Sequence, residues 1–298
     1  MKVGIVSAKM NKDVLDFFNQ KFPTFFIPLS EIKFGVERSF SIQHKKLNLF
    51  DLDYLIINSN SSTLNREIFY TLLKMIEKNV NTPISSENFL IVSNKVLFSN
   101  ILIKNNINVR KMFVIAQKAV IEDILKEISF PLIVSLPSKK RIVVTKRSTL
   151  LEVLSLFKPG IMITIEKILR NARNLSVFVV GNSVIGMEKI DDKIKIVKVE
   201  DKIKETAIKI KDLFSIDFCT IDFQVTEDKF YVDDIKISYS EDLLKKTNKN
   251  LELLANFIEN KIKEREKSIF KKIEKIMLKL LKVVKSEISY PWTKKKRL

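Results

Sequence analysis

The chain has 298 residues, 46% of them hydrophobic, and a formal net charge of +18. This supports two or three modest domains around a real core and excludes wholesale disorder. One cysteine, Cys219, rules out an intrachain disulfide framework, and one histidine, His44, leaves little room for His-based metal centres or Ser-His catalysis.

The N-terminal third alternates strands with helices. Val3 to Ser7 is a short apolar run that predicts a strand and is too short for a signal peptide. A helix is expected from Lys12 to Phe22, a hairpin within Phe34 to Leu49, and a buried strand from Tyr54 to Asn58. Asn65 to Glu77 reads as a helix capped by Ser62 or Thr63. Such a βαβ rhythm implies a parallel sheet covered by helices. Gly4 is the only glycine before Gly35, so no dinucleotide loop is present.

A second unit begins near Thr82-Pro83-Ile84-Ser85-Ser86. Glu87 to Asn105 predicts one helix bearing Lys95. A strand follows at Val109 to Ala116, a helix at Ala119 to Glu127 and a strand at Pro131 to Leu136. The basic turn Pro137-Ser138-Lys139-Lys140-Arg141 leads into the strand Ile142 to Thr145, and then come a helix at Leu150 to Phe157 and a strand at Ile161 to Glu166. Leu175 to Val180 and Val184 to Lys189 flank Gly181-Asn182-Ser183 as a hairpin. Asp201 to Leu213 is helical.

Two acid-bearing strands come next, Cys219 to Val225 and Phe230 to Ser238, joined by Thr226-Glu227-Asp228-Lys229. Period-two alternation puts Ile221, Phe223 and Val225 on one face and Asp222 on the other. In the second strand the same rule places Val232, Asp234 and Lys236 together. Carboxylates on adjacent strands can converge on a hard cation such as Mg²⁺, which takes oxygen ligands and borrows phosphate oxygens. A solvated hairpin face is the plainer alternative.

Glu241 to Lys263 predicts a helix, and Lys261 to Lys285 is strongly helical in composition, with Ile262, Ile269, Ile273, Ile276, Leu280 and Val284 forming an apolar stripe. Residues 261–298 carry 14 Lys or Arg against 4 Glu, so +10 of the +18 lies in this tail. The stripe could pack on the body, pair with a partner helix, lie on an anionic membrane or follow a nucleic-acid backbone. The terminus Tyr290 to Leu298 adds aromatic and basic groups.

The order of these fragments resembles the RimK-like ATP-grasp carboxylate–amine ligases. The resemblance covers about residues 1–260. It rests on Pro83-Ile84-Ser85 before a helix, Ser93-Asn94-Lys95, Phe130-Pro131-Leu132-Ile133-Val134, Ile165-Glu166-Lys167-Ile168, Val177-Phe178-Val179-Val180-Gly181 and the acidic pair. It implies an α/β fold: a Rossmann-like pre-ATP-grasp domain (1–81), an ATP-grasp-like α+β domain (82–260, with subdomains of about 82–163 and 164–260) and a basic amphipathic helical tail (261–298). It also implies ATP and Mg²⁺ as cofactors of an active enzyme that joins an amine to a carboxylate through an acyl phosphate. By position, Lys95, Glu166 and Asn174 would hold the nucleotide, and Asp222 and Asp234 the metal; no residue is assigned a catalytic role.

The sequence departs from the family pattern at several points. Ser135 stands where a second lysine is usual, and Ser176 where an arginine is usual. No glycine occurs from Val36 to Pro159, so the phosphate loop is replaced by Pro137 to Arg141. Lys236 takes the place of a metal-ligating Asn, and an ammonium cannot ligate a cation. Two readings follow. One is a divergent ligase acting on a small-molecule or peptide carboxylate. The other is a non-catalytic pseudo-ligase scaffold that binds nucleic acid, a ribosome or a protein through its basic tail. No stretch reaches the roughly 18 apolar residues of a membrane span, so a cytoplasmic location is the expectation.

Overall fold

The computed structural model describes residues 1–7, 9–36, 40–58, 66–116, 120–135, 141–158, 160–169, 171–190, 193–239 and 249–288. Strand β1 (Val3–Ser7) pairs in parallel with β2 (Thr24–Pro28) and, on its other side, with a later strand at Tyr54–Ile57. Helix α1 (Lys12–Asn19) links β1 to β2, and the Asn11 side chain caps it by accepting from Val14 N. It stops short of Phe22, and the unforeseen β2 takes up the chain beyond it. At Gly4 a Cβ would stand 2.6 Å from Leu52 Cδ1 and 2.8 Å from Leu55 Cδ1, so a larger residue would require those side chains to shift.

The segment between β2 and Tyr54 forms β3 (Lys33–Val36), β4 (Phe40–His44) and β5 (Leu47–Asn48), an antiparallel sheet in the expected place. Strand β6 (Tyr54–Ile57) and helix α2 (Arg66–Ile76) complete the βαβ rhythm. Phe69, Leu72, Leu73 and Ile76 form the buried face of α2, at helical spacing. The cap expected at Ser62 or Thr63 lies outside the described residues.

The single helix expected over 87–105 is two helices, α3 (Ser86–Ser93) and α4 (Lys95–Lys104). Asn94 breaks the run in extended conformation, and its side chain accepts from Val96 N and Leu97 N. A residue that satisfies two orphan N–H groups restarts a helix more readily than it continues one. Lys95 is thereby the first residue of α4.

Strands β7 (Met112–Ile115), β8 (Leu132–Ser135), β9 (Arg141–Val144) and β10 (Ile163–Lys167) make an antiparallel sheet in the order β7-β10-β8-β9. Helices α5 (Ile121–Glu127) and α6 (Arg147–Ser155) cover one face, burying Ile124, Leu150 and Leu154 against Val134 and Ile165. The turn 136–140 lies outside the described residues.

A five-stranded antiparallel sheet follows, built from β11 (Arg173–Val180), β12 (Ser183–Ile190), β13 (Lys193–Val197), β14 (Phe218–Val225) and β15 (Phe230–Lys236), in the order β13-β12-β11-β14-β15. Helix α7 (Asp201–Leu213), with the bounds the sequence suggests, packs Ile203, Ala207 and Ile210 against it. Strand β13 was not anticipated; its Lys-rich alternation is only partly buried.

Helix α8 (Lys249–Ile288) is continuous across residue 261. Its Leu251, Leu254, Ala255, Ile258 and Ile262 pack with Phe178, Val180 and Phe218 of the large sheet and with Val3, Ile5 and Phe18 of the N-terminal unit. A buried polar tie fixes the same junction. Tyr54 Oη donates to Asp217 Oδ2 at 2.8 Å, and Lys261 Nζ donates to Asp217 Oδ1 at 3.0 Å. Burial pushes the Tyr54 hydroxyl well above its usual pKa, and Asp217 pushes it the same way. Burial also raises Asp217, against the pull of Lys261.

The last buried apolar residue described on α8 is therefore Ile262. Removing residues 268–298 should leave the melting temperature unchanged, whereas removing 261–298 deletes Lys261 and Ile262 and should lower it. Thermal unfolding of the two truncations, followed by circular dichroism, checks this.

Candidate functional site

The five-stranded sheet places Asp222 of β14 directly opposite Asp234 of β15. Cross-strand partners share a face, so both carboxylates project to one side. The same register puts Thr220 opposite Lys236 and Ser176 of β11 opposite Asp222. Between Asp222 and Phe223 the register shifts, and Phe223 pairs with Val232. Asp233 is the extra residue of a β-bulge. This corrects the expectation that Val232 shares a face with Asp234 and Lys236. Val232 and Ile235 are buried with Phe223 and Ile221, while Asp234 and Lys236 lie on the opposite face with Asp222.

The four-stranded sheet contributes from the other side. In β10, Ile163 and Ile165 enter the core under α5 and α6, so Glu166 turns the opposite way. Glu166 is 0% exposed. Its carboxylate is ion-paired with Lys95, at the start of α4, and with Arg110, just before β7. Arg110 also binds Asp233 of the bulge. Lys95 lies 3.7 Å from Asp233, and Arg141, the first residue of β9, donates to it at 2.8 Å. A backbone bond from Val232 N to Asn108 O brings the Arg110 segment against β15. The two sheets are thus joined by charge as well as by chain.

The Asp222 carboxylate is engaged at both oxygens. Lys236 Nζ reaches Oδ2 at 2.5 Å, and Ser176 Oγ donates to Oδ1 at 2.6 Å. Asp234 Oδ1 accepts from Ile235 N at 3.0 Å. Burial alone would lower the Lys236 ammonium, yet Asp222 and then Asp234 hold its pKa above the ordinary lysine value. Burial alone would raise Asp233, yet Arg110, Lys95 and Arg141 hold it below the ordinary carboxylate value. Arg141 is likewise raised against burial, by Asp233 first and by Glu166 and Asp234 as well. Four cations, Lys95, Arg110, Arg141 and Lys236, therefore meet four carboxylates, Glu166, Asp222, Asp233 and Asp234, at one junction.

Of the residues singled out from sequence, Lys95, Glu166, Asp222 and Asp234 come together here. Asn174 lies on β11 at the outer, exposed end of the Ser176 face, opposite Gln224. Ser135 Oγ, at the position of the missing lysine, is buried without a hydrogen-bond partner. Of the basic turn, Lys139 and Lys140 lie outside the described residues, and Arg141 enters the junction as a partner of Asp233.

The missed residues are Arg110 and Asp233. Asp233 carried a signal: two adjacent acids in an alternating strand cannot share a face unless the strand is bulged. Arg110 carried none, because its approach to β15 is a long-range contact.

No family model matches this sequence, and no curated protein matches it. Solved structures do. The chain has the ATP-grasp ligase fold. It superposes on a RimK-domain ATP-grasp protein from Sphaerobacter thermophilus with a TM-score of 0.69, at 11% identity over 86% of this chain and 99% of that one. The macrocyclase MdnC from Microcystis aeruginosa, bound with the precursor peptide MdnA, gives 0.66 at 13% identity, over 87% and 100% of the two chains. D-alanine–D-alanine ligase from Bacillus anthracis, complexed with ATP, gives 0.63 at 14% identity, over 89% and 99%.

The residues that would face the Mg²⁺–nucleotide group implied by the ATP-grasp fold are engaged with one another. A divalent cation needs several free oxygen ligands. Here both Asp222 oxygens are committed, and the described residues contain no group of three or more His, Cys, Asp or Glu able to hold a metal. Lys95, Arg110 and Arg141 are each ion-paired within the chain, while Arg110 Nη1 and Glu166 Oε2 are buried without a hydrogen-bond partner. Among the described residues, no helix is long and apolar enough to cross a membrane.

Asp233 should be the group on which this junction depends. Its lowered pKa contributes stability above the ordinary aspartate value of 3.8, and that contribution disappears as pH falls through the lower, folded value. Asp233→Asn should cost about 3–5 kcal/mol, as expected when one partner of a buried ion pair is removed. It should also flatten the pH dependence of stability below 3.8. Urea unfolding of both proteins across acid pH measures both effects.

Proposed function

We propose that this protein is an ATP-grasp-fold scaffold in which an internal ion-pair network replaces the metal–nucleotide centre, so that it binds a partner instead of carrying out ATP-dependent ligation. The observation that carries this reading is the Lys236 ammonium, 2.5 Å from Asp222 Oδ2. Two carboxylates facing each other repel, and a cation between them relieves that repulsion. In an enzyme of this fold Mg²⁺ would provide that charge. Here the chain provides its own, and a second cation would meet like-charge repulsion.

Energetics at the junction point the same way. For Lys95 to bind a phosphate it would have to give up its ion pair with Glu166, a fully buried carboxylate that would then rest on Arg110 alone. The second reading is a divergent ligase joining an amine to a small-molecule or peptide carboxylate with ATP and Mg²⁺. It draws on the fold, on the facing Asp222 and Asp234, and on solved relatives that include a macrocyclase bound with its precursor peptide. Nucleic acid or a ribosome as the partner of the tail draws on its charge alone. A protein partner fits the apolar stripe better.

Isothermal calorimetry with Mg²⁺-ATP separates the readings. The scaffold should bind weakly or not at all, and sub-micromolar affinity would establish the ligase reading. Lys236→Asn removes the internal cation and should create or strengthen Mg²⁺ or Mn²⁺ binding at Asp222 and Asp234. Unchanged divalent affinity in that variant would refute the role given to Lys236.

A further inference from the structure

The apolar face that seats α8 on the protein does not stop where the protein stops. Ala255, Ile262, Ile269 and Ile276 recur every seven residues, so they lie on one side of the helix. Ala255 and Ile262 are buried at 0% and 2% exposure, whereas Ile276 and Leu280 are each 58% exposed. Ile269 and Ile273 are also open, and Phe270 and Met277 broaden the strip. A seam that is core at one end therefore runs out uncovered at the other, among the described residues. A contiguous exposed apolar strip marks an interaction site. A basic row borders it, with Arg265, Lys272 and Lys279 again spaced by seven; Arg265 donates to Lys78 O at 3.0 Å, and Lys272 and Lys279 continue the row beyond it.

We infer that the seam of α8 beyond Ile262 is a docking surface for an amphipathic α-helix of another protein, apolar along its own seam and acidic on the flank that meets Arg265, Lys272 and Lys279. Three physical arguments select this occupant. The body stands on the same side of α8 as the seam, because Ala255 and Ile262 are buried there; a flat lipid surface would meet the body before it met the strip. A helix is only about 10 Å across and can lie along the seam up to the edge of the body. A second copy of this chain is disfavoured in both directions. Parallel pairing would place two bodies in the same space, and antiparallel pairing would set the two basic rows against each other. Opposite charge on the flank removes that repulsion and fixes the register.

The inference rests on the scaffold reading for its biological sense. Its test leaves the Asp222 junction untouched, so a failure here and a tight Mg²⁺-ATP titration are separate results. Two synthetic amphipathic peptides with the same Leu seam, one flanked by Glu and one by Lys, are titrated against the full chain by fluorescence anisotropy. The Glu-flanked peptide should bind tighter by roughly tenfold or more at low salt. Lys272→Glu with Lys279→Glu should reverse that preference. Ile273→Asp with Ile276→Asp should abolish binding and leave the unfolding transition unchanged, because both residues are exposed. Equal binding of the two peptides, or binding that survives the Ile273 and Ile276 changes, would overturn the inference. So would a dimer in sedimentation that those two changes dissolve, which would make the occupant a second copy. Capture of the chain by phosphatidylserine vesicles through the same residues, without peptide binding, would also overturn it, in favour of a membrane.

Discussion

Where β15 pairs with β14 it carries one residue more, Phe230–Lys236 against Thr220–Val225, and the site is arranged around that residue. The bulge at Asp233 keeps Val232 and Ile235 in the core while releasing two consecutive acids toward the four-stranded sheet. Asp233 gathers Arg110, Arg141 and Lys95; Asp234 stays opposite Asp222. Without the extra residue, a strict alternation would send one of the two acids into the apolar cluster beneath. Burying a charge there without a partner would cost far more than any surface contact could return. The bulge and the cations therefore depend on each other.

The network also defines how the two sheets meet. Glu166 arrives from the four-stranded sheet and Asp233 from the five-stranded one, and Arg110 binds both. Here four side-chain cations balance four carboxylates within one chain. Buried ion pairs stabilise little overall but penalise any rearrangement that leaves one member alone, which makes them effective at holding a single geometry.

At the opposite end, the Tyr54–Asp217–Lys261 tie and the apolar residues of α8 join the N-terminal sheet, the large sheet and the C-terminal helix. The helix is anchored over its first turns and projects beyond them. Rigidity at the anchor gives the exposed seam a defined direction, and that direction decides which surfaces can reach it.

Sequence alone determined a good deal. Alternation placed β14, β15 and the Asp222–Asp234 face, and the order of fragments anticipated the ATP-grasp fold. The βαβ rhythm gave the parallel sheet, and the apolar stripe of α8 was visible as a period of three to four. These features depend on local periodicity, which a linear chain displays directly. The break at Asn94, the bulge at Asp233 and the edge at which α8 leaves the body were decided by tertiary packing. So was the partnership of Arg110 with Glu166 and Asp233, residues 56 and 123 positions away. Periodicity carries no information about such distant pairings, because they are selected by which charges must be neutralised once two sheets have closed on each other. A lysine at position 236 could be read from the sequence as a lost ligand whose ammonium pairs with the aspartates; the folded chain adds that Ser176 takes the other oxygen of Asp222.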